Sequence, residues 1–139
     1  MKTITSNLLL FALFATVIAV VFRYLLSFGI ENQLSYLYFS APVFYGIAMF
    51  ICGWFFGKRD WLKLPIYDVG LRFHLVTYIV HNAISEFWYL FGFNSSREKI
   101  EQIHWTAIIW GIVMLFHVVV FFWTRKNAIN NIEKKDIFE

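Results

Sequence analysis

Four long apolar runs, roughly 7–28, 40–57, 70–92 and 103–124, divide the chain, with short polar stretches between them. Each is close to the ~20 residues that an α-helix needs to cross a hydrocarbon core about 30 Å thick. Helices satisfy their own backbone hydrogen bonds in lipid, whereas a barrel of eight or more strands would show a different pattern. The runs predict an all-α integral membrane four-helix bundle. It divides at a basic connector: residues 1–66 form an N-terminal hairpin plus that connector, and 67–139 a second hairpin with a charged tail. No internal repeat relates the halves.

Polar positions inside the runs carry more information than the apolar ones. FHLVTYIVHNAISEFWYLF (73–91) holds two histidines, an asparagine and a glutamate in a stretch otherwise fit for lipid. At about 100° per residue, with His74 at zero, Tyr78, His81, Asn82, Ser85, Glu86 and Tyr89 all fall between about −20° and 120°. Val76, Ile79, Val80, Phe87 and Leu90 lie outside that stripe. A single polar stripe predicts that this face meets protein or trapped water and that the back meets lipid.

The second run opens with Ser40 as a cap and Pro42 in the first turn, where a missing N–H costs nothing. Gly46, Gly53 and Gly57 follow on one side, which predicts close helix packing there. Lys58, Arg59 and Asp60 then take the chain into water.

Depth predicts partners. Arg23 and Glu86 each fall about sixteen residues into an outward-running helix, about 24 Å above the same edge. Unpaired charges at that level would cost several kcal/mol each, so an Arg23–Glu86 ion pair is expected. In the fourth run, His104 lies at the rim and His117 about 10 Å deep, between the levels of His74 and His81. A short loop makes the last two helices antiparallel neighbours. The polar cluster expected from this is His74, Tyr78, His81, Asn82 and His117.

Composition narrows the class. The 139 residues are 60% hydrophobic and 15% charged, with a mean hydropathy of +0.62, too apolar for a soluble domain. With the N-terminus inside, nine Lys and Arg face the cytoplasm (Lys2, Lys58, Arg59, Lys63, Arg72, Arg125, Lys126, Lys134, Lys135) against Arg97 and Lys99 outside. Both termini are therefore expected in the cytoplasm. The net charge of +3 then reflects orientation rather than nucleic-acid binding. The opening MKTITSNLLLFALFATVIAVVF has no clear small-residue cleavage site and is expected to remain as a span. A single cysteine, Cys52, excludes disulfides within the chain and thiolate metal clusters. Five of the six tryptophans (54, 61, 88, 105, 123) fall near predicted interfaces, where amphipathic rings settle; Trp110 is deeper.

LRFHLVTYIVHN followed by WGIVMLFHVVVFF resembles the two-TM domain family of small bacterial membrane modules. The matching positions are His74, Leu75, Tyr78 and Asn82, then Trp110, Gly111, Ile112 and His117, over about residues 67–139. His81 and Glu86 stand outside the pattern. The resemblance implies a membrane part of a sensory or regulatory system in the bacterial inner membrane.

The leading expectation is a non-enzymatic sensory, regulatory or scaffold subunit in the lipid bilayer. Its histidines would hydrogen-bond between helices, and any signal would pass to a partner membrane or signalling protein. No cofactor is expected on that reading. One alternative is a haem b carrier with two axial histidines, whose helices would have to splay or pair across a homo-oligomer because packed helices sit about 8–10 Å apart. Copper or zinc on His74, His81 and His117 is another, without a carboxylate behind the imidazoles. A small transporter or channel, dimeric through the glycine side of helix two, would use Arg23 and Glu86. No nucleophile–base or paired-carboxylate spacing falls at a common depth, which argues against an enzyme.

Overall fold

A computed structural model describes residues 4–63 and 69–130, with side chains for 4–61 and 69–123. Lys2, Lys134 and Lys135 and the side chains of Lys63, Arg125 and Lys126, which enter the charge count above, lie outside the described residues. Four helices follow one another: α1 (Ser6–Glu31), α2 (Ser35–Lys63), α3 (Val69–Leu90) and α4 (Ile100–Asn130). There is no strand among the described residues. Three helical stretches among them are long and apolar enough to cross a membrane: Ser6–Glu31, Ser35–Trp61 and Ile100–Trp123. This fits a membrane location. At 22 residues α3 is about 33 Å long, sufficient in length, but it is the helix interrupted by the polar stripe.

One stripe of α1 organises the packing. Leu8, Phe11, Ala15, Ala19, Arg23 and Ser27 are all buried at three- and four-residue intervals. Ala15 and Ala19 have almost no side chain to hold neighbouring helices apart, so α2 and α3 both pack on this face and on each other. Phe11, the largest fully buried side chain, meets Phe73 of α3 with ring centroids 4.7 Å apart. Met49, Phe56 and Val69 complete the core, with Val76 and Val80 at its edge.

Among the described residues, α3 is the one helix on which α4 packs. The apolar side chains of α4 stay largely exposed, with Phe116 at 71% and Trp123 at 68%. An apolar surface of this extent is foreign to a soluble monomer and natural against acyl chains.

Several expectations need correction. α2 starts at Ser35, not near Ser40, because α1 ends in a tight left-handed turn. Gln33 has φ 56°, Leu34 N–H donates to Gly29 O at 2.8 Å, and Gln33 N–H to Ile30 O at 3.2 Å. A Cβ on Gly29 would lie 3.2 Å from Leu37 Cβ, so the missing side chain admits α2 directly after the turn. Pro42 is thus inside α2, and Ser40 Oγ donates back to Leu37 O at 3.4 Å instead of capping.

At the other end α2 runs on to Lys63, and Asp60, expected in water, is only 5% exposed. It accepts from Thr5 Oγ1 at 2.5 Å and Asn7 Nδ2 at 2.6 Å. Thr5 also caps α1, accepting from Leu8 N–H at 3.1 Å. The α2 glycines do not bring backbones together either. Gly46 has nothing within 4 Å of a built Cβ, while Gly53 and Gly57 would meet only side-chain atoms of Phe11 and Val69 at 3.8 Å.

Candidate functional site

α1 turns Arg23 inward because it continues the Phe11–Ala15–Ala19 stripe. Its Nη2 donates to Glu98 Oε2 at 2.6 Å, and both side chains are almost fully buried. Glu98 comes from the α3–α4 loop, which folds back over the end of α1. A second tie holds that loop: Glu31 accepts from Ser95 Oγ at 2.6 Å and from Ser96 N–H at 2.8 Å. Below it, Trp88 Nε1 donates to Ser27 Oγ at 3.0 Å. The predicted Arg23–Glu86 pair is therefore not formed. Glu86 sits at the exposed margin of α3, 3.2 Å from His104 Nε2, with both side chains about half exposed. The two charges share a depth but not a direction, and the loop supplies the nearer carboxylate.

Under the loop lies a cavity of about 320 Å³ that draws residues from all four helices. Arg23, Glu98 and Lys99 bring charge to its lining, and Asn82, Ser85, Gln102 and Thr106 neutral polar groups. Aromatic rings in contact with one another form a further part of it, with Phe22 also 5.8 Å from His81. Phe22 lies 4.6 Å from Tyr45, Tyr45 lies 5.3 Å from His81, and His81 lies 5.0 Å from Trp110, between centroids. Tyr45 Oη and His81 Nδ1 are hydrogen-bonded at 3.1 Å, the imidazole tautomer deciding which one donates. Arg23 Nε, inside this buried group, has no hydrogen-bond partner.

The predicted cluster thus splits in two. His74 and His117 touch, with centroids 5.2 Å apart, on the exposed flank shared by α3 and α4. His81 instead joins Tyr45, Phe22 and Trp110. Three imidazoles do not converge, and among the described residues no group of three His, Cys, Asp or Glu is placed to hold a metal ion. Nor does the His74–His117 pair fit a haem as it stands: rings in direct contact leave no gap for a macrocycle between them.

Tyr78 serves the α3–α4 seam, while Asn82 bonds back within α3. Tyr78 Oη donates to Ala107 O at 3.2 Å, and Asn82 Nδ2 donates to Tyr78 O at 2.7 Å. The seam depends on Gly111, where a Cβ would stand 3.1 Å from the Tyr78 hydroxyl. The back of α3 is likewise mixed. Ile79, Phe87 and Leu90 are exposed as expected, but Val76 and Val80 pack on the core. A glycine-lined recess of about 380 Å³ between α2 and α3, reaching from Gly57 to Trp110, is a second void.

Sequence reasoning missed Phe22, Tyr45 and Glu98. Neither aromatic differs in type from its many neighbours, and a loop glutamate gives no sign that it folds inward. No family model matches the chain, and no curated protein and no solved structure matches it either.

Proposed function

We propose that the chain is a non-enzymatic sensory or regulatory subunit of a bacterial inner membrane. It crosses four times, holds both termini in the cytoplasm, and acts through a partner protein. One observation supports this above the rest: the polar and aromatic cavity lies between α4 and the α1–α3 body, while α3 is the one helix among the described residues on which α4 packs. A change in the cavity then moves α4 as a unit, and α4 leads to the charged C-terminal end on the cytoplasmic side. The buried Arg23–Glu98 tie gives that movement two discrete positions, closed and released.

Purification from native membranes under mild cross-linking tests the reading. A stoichiometric membrane or signalling partner, its yield changed by Glu98→Gln, is the expected result. Recovery of the chain alone at every cross-linker dose overturns it. Orientation is tested separately: cysteine at Ser96 should react with an impermeant maleimide in intact cells, and cysteine at Arg59 only after permeabilisation.

A small transporter is the second reading, favoured by the buried ion pair lining the cavity. It predicts flux in proteoliposomes that Glu98→Gln abolishes, with Glu86→Gln harmless.

A further inference from the structure

Arg23, whose buried Nε has no partner, and a group of aromatic rings line one cavity, and together they specify a ligand. A buried guanidinium ordinarily spends its donors on several acceptors, because each unmet donor keeps the cost of leaving water. Arg23 makes one charged contact, to Glu98, while its Nε has none. Glu98 is already committed, through Oε2 to Arg23 and through Oε1 to Ser95 N–H at 3.4 Å. Lys99 also lines the cavity but is exposed to solvent, so Arg23 is the buried cation there. Its guanidinium therefore keeps one donor without an acceptor.

The aromatic lining lacks a flat apolar occupant. Phe22, Tyr45 and His81 are in mutual ring contact, with Phe22 and His81 5.8 Å apart, and His81 carries this aromatic lining on to Trp110. About 320 Å³ lies at the small end of the range for small-molecule sites, which are apolar clefts with a few placed polar groups.

We propose that this cavity binds a small planar aromatic carboxylate, its ring against the Tyr45–His81–Trp110 lining and its carboxylate accepting from Arg23. This deepens the sensory reading, on which it rests, by naming the chemical class of the signal. A carboxylate drawn to the unmatched donor of Arg23 places a second negative charge beside Glu98, so binding loosens the tie between α1 and the α3–α4 loop. Glu98 then keeps its Ser95 contact and moves toward Lys99.

The probe is 2-naphthoate, titrated into the purified full chain in nanodiscs by calorimetry, beside neutral 2-naphthalenemethanol and aliphatic octanoate. Saturable 2-naphthoate binding at least tenfold tighter than either comparison compound is expected. Arg23→Gln/Glu98→Gln, which removes both charges, should erase the preference for 2-naphthoate over the alcohol. Trp110→Leu should weaken both ring compounds together. No saturable binding up to millimolar 2-naphthoate, equal affinity for the alcohol, or equal affinity for octanoate overturns the proposal. These comparisons on the unaltered chain stand even where a variant fails to fold. Because no partner is present, failure to bind sinks the ligand class alone, and failure to recover a partner sinks the sensory reading alone.

Discussion

Arg23 and Glu98 meet at 2.6 Å although one lies deep in the first helix and the other in the loop before the last. The contact ties α1 to the α3–α4 connection, and both side chains are removed from solvent. Breaking one half of a buried pair leaves the other charge unmet, at a cost of about 3–5 kcal/mol, whereas replacing both with apolar residues is often neutral. Arg23→Leu and Glu98→Leu should each lower stability by that amount in detergent unfolding titrations. The double replacement should recover most of it. Glu86→Leu, on a half-exposed carboxylate beside His104, should cost at most about 1 kcal/mol. A larger loss from Glu86→Leu than from Glu98→Leu would contradict the pairing.

Asp60 makes a matching tie at the opposite end. It accepts from Thr5 and Asn7 while Thr5 also caps α1, so the start of one helix is fixed to the end of the next. Asp60→Ala should cost about 2–4 kcal/mol, from two hydrogen bonds to a charged acceptor. Thr5→Ala should cost about 1–2 kcal/mol, its cap included. The two losses should not add, since they share one bond. Amide exchange at the first turn of α1 should rise in both variants, and unchanged protection would remove the tie.

Most of the helical architecture was legible, and the partners were not. Apolar runs of bilayer length foretell helices whatever surrounds them, and the i, i+4 series from Phe11 to Ser27 was present to be read. It places Arg23 on the core side of α1 without reference to any other helix. Glu86 was misassigned because depth along a helix follows from residue count, whereas direction follows from which neighbours pack where. The start of α2 was missed because its signal, a left-handed Gln33, does not use the glycine that normally marks such a turn. His81 was separated from His74 and His117 by Tyr45 and Trp110, and nothing in their spacing distinguishes a ring that faces a cavity from one that faces lipid.

The glycines give a sharper test of packing than their pattern does. Gly46→Ala meets open space and adds helix propensity, so it should be neutral or stabilising by up to about 1 kcal/mol. Gly29→Ala would press on Leu37 and the Tyr38 backbone at 3.2–3.3 Å and should destabilise by about 1–3 kcal/mol. Thermal unfolding of the two variants in micelles makes the comparison. A penalty at Gly46 that appears only at high protein concentration would instead locate a second copy on that face.

The seam between α3 and α4 rests on a hydroxyl that fits only because residue 111 is a glycine. In Gly111→Ala the new methyl would sit 3.1 Å from Tyr78 Oη, forcing the phenol off Ala107 O and opening the α3–α4 interface. The expected loss is about 1–3 kcal/mol for the clash plus the broken hydrogen bond. Tyr78→Phe alone should lose about 0.5–1.5 kcal/mol. With the hydroxyl gone, the nearest Tyr78 atom to that methyl is Cζ at 3.8 Å, an ordinary contact. Gly111→Ala made in the Tyr78→Phe background should therefore be neutral or slightly stabilising through helix propensity. In a double-mutant cycle measured by reversible unfolding, the double variant should thus lose about what Tyr78→Phe loses alone, less than the sum of the two single losses. Additive losses would mean that the two helices meet elsewhere, and that α4 is not held through Tyr78.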